Sequence, residues 1–154
     1  MKILISGHTS GIGRSLSDIF SSYDNDVYGI SRKNNNELNK QNQIKLDLSK
    51  SEDIKKAYVW TKKINPDIFF HCAGSNPITP LIEATQDVYI NCFNLHFLSA
   101  SQICRGSIEV KKKDQNLKFF LISSIWSLIS ADSRGPYSIA KSALNSFARQ
   151  IAVE

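Results

Sequence analysis

Ile3-Leu4-Ile5-Ser6-Gly7-His8-Thr9-Ser10-Gly11-Ile12-Gly13 sets an apolar run directly before a glycine-punctuated turn, and a helical pattern follows at once. Strand, turn and helix in that order make the turn a candidate nucleotide site. Glycines at 7, 11 and 13 let the backbone bend sharply, approach a pyrophosphate without Cβ interference, and bring the helix close to the strand. The unpaired N–H groups and positive dipole end of that helix favour an anion in front of it. An ordinary strand-to-helix turn uses the same glycines, so the reading depends on the rest of the chain.

Composition bounds what that rest is. With 154 residues, 42% hydrophobic and 21% charged, the chain is expected to form a single domain with a real core. No apolar run approaches the roughly 20 residues of a membrane-spanning helix, so no membrane partner is expected. The first strand begins at Lys2, which leaves no room for a signal peptide and points to the cytoplasm. Cys72, Cys92 and Cys104 are odd in number, widely spaced and set among apolar residues, which suits reduced core thiols better than a disulfide frame or a metal site. The net charge of +5 comes from scattered lysines, apart from Lys111-Lys112-Lys113 in a polar loop. A solvated loop accounts for that triplet, and no nucleic-acid partner is expected. A dinucleotide is also an anion, and a mild positive field is compatible with it.

Ile12, Leu16, Ile19 and Phe20 recur at helical spacing and predict a first helix to about Ser22 that packs through one face. Val27 to Ile30 reads as a second strand ending at Ser31-Arg32-Lys33. An acid at that strand end suits the ribose hydroxyls of NAD, and an arginine suits the 2′-phosphate of NADP. Here Ser31 stands where the acid would be and Arg32 follows, although any strand can end in a surface arginine. Ile44 and Leu46 mark a third strand closing on Asp47, and Ser49 and Glu52 have capping-box spacing. Ile54, Ala57, Tyr58, Thr61 and Ile64 form one face of the next helix, which Pro66 stops. Ile68-Phe69-Phe70 is a buried fourth strand running into His71-Cys72-Ala73-Gly74, whose small pair leaves room for a flat ligand or simply for a tight turn.

A long helix is expected from about Thr85 to Arg105, carrying Val88, Asn91, Cys92, Leu95, Leu98 and Ser99 on one stripe. Asn91 must find partners there or cost on the order of 1–3 kcal/mol. Phe119 to Ile122 is a fifth buried strand ending in Ser123-Ser124. Strands alternating with helices give an α/β fold with a mostly parallel, doubly wound sheet, and ligands bind beyond the carboxyl ends of its strands.

In the last helix, Tyr137, Lys141, Leu144, Ala148 and Ile151 share a stripe that begins with a phenol and an ammonium. At about 4 Å and an effective dielectric near 20 the raw Tyr–Lys interaction is about 4 kcal/mol. Since about 1.36 kcal/mol moves a pKa by one unit, such a contact draws a phenol toward neutrality, where a general acid or base is useful. A tyrosine reaching water and a snorkelling lysine would show the same spacing.

Ser6-Gly7-x-x-x-Gly11-Ile12-Gly13, Asp47, Ala73-Gly74, Asn91, Ser123-Ser124 and Tyr137-x-x-x-Lys141, in this order, resemble the short-chain dehydrogenase/reductase family along the whole chain. The glycine spacings of four then two are those of its ordinary subfamily, rather than of the extended, epimerase-like one. The resemblance implies a Rossmann-like sheet of five strands in the order 3-2-1-4-5. It implies Tyr137 as acid/base, Lys141 lowering its pKa and holding the nicotinamide ribose, Ser124 orienting a carbonyl, and Asn91 anchoring a water relay. Gly7, Thr9, Ser10, Gly11, Ile12 and Gly13 would hold the pyrophosphate, and Ser31 and Arg32 the ribose end. Asp47 would hold the adenine amino group and Ala73-Gly74 the adenine and ribose edge, with Leu48 and Cys72 in the same site.

His71-Cys72 stands where the family has paired asparagines, and the interval from Gly74 to Asn91 is short. The family continues well beyond the position of Glu154, so a domain incomplete at its C-terminus is expected. The function implied is an NADP-dependent oxidoreductase, with NAD the lesser alternative, that interconverts a small-molecule carbonyl and alcohol. A homo-oligomer, dimer or tetramer, is implied through the helices of Asn91 and Tyr137. The alternatives are a truncated, non-catalytic nucleotide-binding or subunit-association module and a nucleotide-sugar epimerase or dehydratase.

Overall fold

Ile3, Leu4 and Ile5 are all fully buried, so strand β1 (Lys2–Ser6) needs cover on both faces and takes the middle of the sheet. In the computed structural model, which describes residues 1–112 and 115–154, β1 pairs in parallel with β2 (Asp26–Ser31) on one side and β4 (Ile68–His71) on the other. Strand β3 (Gln43–Lys45) extends the sheet beyond β2, and β5 (Lys118–Leu121) extends it beyond β4. The five strands thus run parallel in the expected Rossmann-like order 3-2-1-4-5. Lys113, the last of the lysine triplet, lies outside the described residues.

Alternation along the strands separates two cores. Leu4, Ile30 and Phe69 join Ile54, Ala57, Ile64 and Ile103 beneath helices α2 (Ser51–Ile64) and α4 (Ser99–Val110). Ile3, Ile5, Val27 and Phe70 form the smaller opposite core, met by Leu16 and Phe20 of α1 (Gly11–Ser21). The stripe expected for α1 is rotated from the observed one. Ile12 and Ile19 are 57% and 52% exposed, and the buried positions are Gly13 and Ser17. The helix is drawn onto the turn at Gly13, where an added Cβ would lie 2.3 Å from the Gly7 carbonyl oxygen.

Helix α2 buries Ile54, Ala57, Thr61 and Ile64 as the spacing predicts. The expected capping box does not form. Ser49 Oγ donates to Asp47 Oδ1 at 2.8 Å, and Glu52 pairs with Lys55 at 2.8 Å. A hydroxyl bonded to a neighbouring aspartate in a local turn is not available to the helix N–H groups.

From Gln86 to Val110 the chain is helical but not uniformly so. Helix α3 (Gln86–Phe93) passes into a π turn at Asn94–Leu98 before α4 begins. One wide turn shifts the phase of every later residue relative to a 3.6 repeat. The expected stripe is therefore broken beyond Phe93: Leu98 is exposed, while Asn94 and His96 turn inward; Asn91, which precedes the turn, is exposed as well.

Strand β5, expected to be buried, alternates exposed and half-buried residues as the sheet's edge. Phe120 stacks on Phe70 at 4.7 Å yet stays 45% exposed. The last helix, α5 (Gly135–Ile151), has Pro136 in its first turn and buries Ala140, Lys141 and Leu144. Among the described residues no helix is long and apolar enough to cross a membrane.

Candidate functional site

A groove of about 790 Å³ opens at the carboxyl ends of the strands, a size within the roughly 300–1,000 Å³ usual for small-molecule sites. Gly7, Thr9, Ser10, Gly11, Ile12 and Gly13 line it from the glycine turn, and Ser31, Arg32, Lys33 and Asn34 from the end of β2. Asp47, Leu48, Cys72, Ala73, Gly74 and Asn91 complete it, so the residues expected at the cofactor do come together.

The glycine turn has the shape an anion needs. Gly7 (φ 74°) and Gly11 (φ 52°) hold left-handed backbone, which glycine adopts without a Cβ penalty. A Cβ on Gly7 would sit 2.8 Å from the Ala73 nitrogen, whereas one on Gly11 would meet nothing within 4 Å. Gly7 thus packs the turn on the Cys72-Ala73 backbone, and Gly11 faces open space. Ser10, the N-cap of α1, makes no side-chain cap bond, and no acidic residue stands in the first turn. The leading N–H groups of α1 are left for a ligand.

His8 lies inside this turn, at a position to which the glycine motif gives no role. Its ring is fully buried against Gly29, where a Cβ would be 2.4 Å from Nδ1. Burial holds its pKa below the ordinary imidazole value. The signal was Gly29 itself, since a glycine inside a strand marks a close approach. At the same end, the Ser31 hydroxyl donates to the Lys33 carbonyl, and Asp47 Oδ1 accepts from Ser49 N–H at 3.1 Å and from Ser49 Oγ at 2.8 Å.

At the other end Lys141 is only 4% exposed. Its ammonium donates to the Ile122 carbonyl oxygen at 2.6 Å and lies 5.8 Å from the centre of the Tyr137 ring. Loss of water lowers its pKa to about 8. The Tyr137 ring meets His96 edge to face at 5.1 Å, and His96 Nε2 bonds the Ser75 carbonyl oxygen at 2.7 Å. Ser124 caps the short 3₁₀ turn Ile125–Ser127, its Oγ accepting from Trp126 N–H at 3.3 Å. Ser142 Oγ and Asn145 Nδ2 of α5 bond Ser127 at 2.9 and 2.7 Å, which fixes that turn against the helix. Lys141 thus joins α5 to the chain just after β5, Tyr137 lies beside Ser75 through His96, and Ser124 caps the turn that follows β5; none of the three is among the residues lining the groove.

Two further sequence expectations meet the structure here. His71, in place of an asparagine, ties β4 to β1 through Nδ1 and Ser6 Oγ at 2.8 Å. Complete burial, with the Lys141 and His96 charges adding to it, lowers its pKa to about 3. Asn91 lines the groove but is exposed, so the inward amide in need of partners is instead Asn94, 5% exposed, whose Nδ2 donates to the Ser49 carbonyl at 2.7 Å. The π turn, which no residue type announces, begins at Asn94 and turns it inward, whereas Asn91 precedes it and opens onto the groove.

The family model for short chain dehydrogenases matches residues 1–154. A 3-ketodihydrosphingosine reductase of Bacteroides thetaiotaomicron is 26% identical over 154 residues, covering 99% of this chain and 57% of that protein. The chain thus spans little more than half the length of that relative. A 4-hydroxyisoleucine dehydrogenase solved with NADH and succinate superposes with a TM-score of 0.87 at 26% identity, over 98% of this chain and 71% of the other. A short-chain dehydrogenase/reductase of Burkholderia vietnamiensis, 20% identical, shares the fold with a TM-score of 0.88 over 99% of this chain and 76% of its own. With the family model matched from end to end on a Rossmann-like sheet, this chain belongs to the short chain dehydrogenase family of oxidoreductases.

Proposed function

We propose that the chain carries the cofactor-binding and catalytic part of an NADP-preferring oxidoreductase that interconverts a carbonyl and a hydroxyl on a small molecule. The observation that carries this reading is the buried Lys141 ammonium, held on the Ile122 carbonyl beside the Tyr137 ring, in a fold whose strand ends form a groove with an uncapped helix N-terminus. A bound nicotinamide supplies the two-electron redox chemistry. Tyr137 gives a proton to the carbonyl oxygen during reduction and takes it back during oxidation. Lys141, charged at neutral pH with a pKa of about 8, supplies the positive charge beside that ring. Ser124 already accepts from Trp126 N–H, so its own O–H is left to donate to the same carbonyl oxygen.

The glycine turn would hold the pyrophosphate and Asp47 the adenine, both of which line the groove. The dehydrogenase solved with NADH supports a nicotinamide cofactor. The preference for NADP rests on Arg32 and Lys33, the cations of the groove lining, because Arg14 is committed to Asp18 at 2.8 Å and to Glu37 at 2.5 Å. A guanidinium meets a 2′-phosphate with two parallel hydrogen bonds. NADPH should bind at least about tenfold more tightly than NADH, a difference of about 1.4 kcal/mol, and Arg32→Ala should remove most of it. Exposed Ile90 of α3, Leu98 of the π turn and Ile139 of α5 support self-association as well.

Tyr137→Phe tests the chemistry. Carbonyl reduction should fall by about 10²–10⁴, the usual contribution of general acid catalysis, while nucleotide affinity changes less than about twofold. A variant keeping more than half the activity overturns the assignment. Tight nucleotide binding with no turnover by the unaltered chain would favour a binding module instead.

A further inference from the structure

Gln43 sits in β3 opposite Gly29 of β2, and its side chain reaches back over the end of β2. Its Oε1 accepts from Asn35 N–H at 2.7 Å, and its Nε2 donates to the Asn35 carbonyl at 2.8 Å and to the Leu38 carbonyl at 2.9 Å. His8 Nε2, beneath the glycine turn, lies 3.4 Å from the same Oε1. All the bonding capacity of this one amide is thus spent on the loop that follows Arg32 and Lys33, with the glycine turn as its anchor. Asn35, 3% exposed, is fixed by it, and Asn35 Oδ1 in turn accepts from Glu37 N–H at 3.0 Å. Glu37 then closes onto Arg14 of α1. On the near side of Arg32, Ser31 Oγ bonds the Lys33 carbonyl.

We propose that Gln43 is a positioning residue for cofactor choice, holding the backbone around Arg32 and Lys33 in the form that receives the 2′-phosphate. This rests on the NADP reading above and adds the element that makes Arg32 effective. Neither Gln43 nor Asn35 lines the groove, so Gln43 acts through the loop and not by contact with the nucleotide. A guanidinium on an unfixed loop must lose its freedom on binding, whereas a clamped loop has lost it beforehand. Gln43 and His8 also couple the pyrophosphate turn to the ribose end, so the two parts of the groove keep one spacing.

The test is a fluorescence titration of the full chain with NADPH and NADH at fixed ionic strength, for the unaltered protein, Gln43→Met, Arg32→Ala and the double variant. Gln43→Met should lower the NADPH-to-NADH affinity ratio by roughly fivefold to thirtyfold, the range that ordering one backbone residue accounts for. In the Arg32→Ala background it should lower the ratio no further. Gln43→Glu keeps the size of the side chain and the acceptor for Asn35 N–H but loses both donations, and serves if Gln43→Met does not fold. It too should lower the ratio. A ratio unchanged within twofold, or an equal loss of affinity for both nucleotides, marks Gln43 as merely structural and overturns this inference alone. An unaltered chain that shows no preference for NADPH overturns the cofactor reading, and this inference with it.

Discussion

Lys141 Nζ meets the Ile122 carbonyl oxygen at 2.6 Å, so a buried ammonium moors the start of α5 to the end of β5. The site needs that charge, and the fold bears its cost. Burial lowers the Lys141 pKa from 10.5 to about 8, which at about 1.36 kcal/mol per unit is on the order of 3 kcal/mol. Below pH 8 both the folded and unfolded chains carry the proton, and the folded state bears the whole penalty. Between about 8 and 10.5 the unfolded chain binds more protons, so stability rises with pH across that window. Lys141→Met should therefore unfold at higher urea concentration than the unaltered chain at pH 7, with the gap closing as pH rises through the window. The lost bond to Ile122 works against the gain. A stability difference that does not change as pH rises from about 8 to 10.5 would show that the ammonium bears no burial penalty.

Acid should act on the same cluster through its histidines. His71 and His96 have pKa values lowered to about 3 and about 4, mainly by burial, with the Lys141 charge adding to it. Each stays neutral in the fold and takes a proton in the unfolded chain below the ordinary value of 6.5. Stability should fall with pH from 6.5 toward 4, by up to about 1.4 kcal/mol per pH unit for each ring. His96→Gln keeps a donor for the Ser75 carbonyl and should flatten this slope. Urea midpoints of both proteins at pH 7 and 4.5 measure it, and equal slopes would refute the assignment.

Gly29→Ala should destabilise the chain by about 1–3 kcal/mol, the usual cost of overpacking a close-packed site. Its Cβ would meet the buried His8 ring at 2.4 Å, and that ring has no exposed side to swing toward. His8→Ala in the same chain should recover part of the loss. Thermal unfolding of the two single variants and the double variant measures the coupling, and additive effects would mean that the two residues do not meet.

The sheet was legible from residue order because β1, β2, β4 and β5 each contain a short apolar run closed by small or polar residues, and the crossovers that leave β1, β3 and β4 carry a helical repeat. The groove was legible for the same reason: Gly7 to Gly13, Arg32, Asp47 and Ala73-Gly74 sit at strand ends, and parallel strands bring all their carboxyl ends to one edge. Local chemistry determined those features, and the sequence records local chemistry directly. What only the tertiary structure decided is which face each helix presents and which polar group each buried side chain finds. Helical spacing put Asn91 inward, but Asn91 opens onto the groove, and the π turn at Asn94–Leu98 sets the phase that buries Asn94 and His96. The Lys141 ammonium found the Ile122 carbonyl, and Gln43 found Asn35 and His8. These partners are distant in sequence or displaced by a one-residue change of phase, and the demand of a buried polar group for a partner is settled only when the packing is complete.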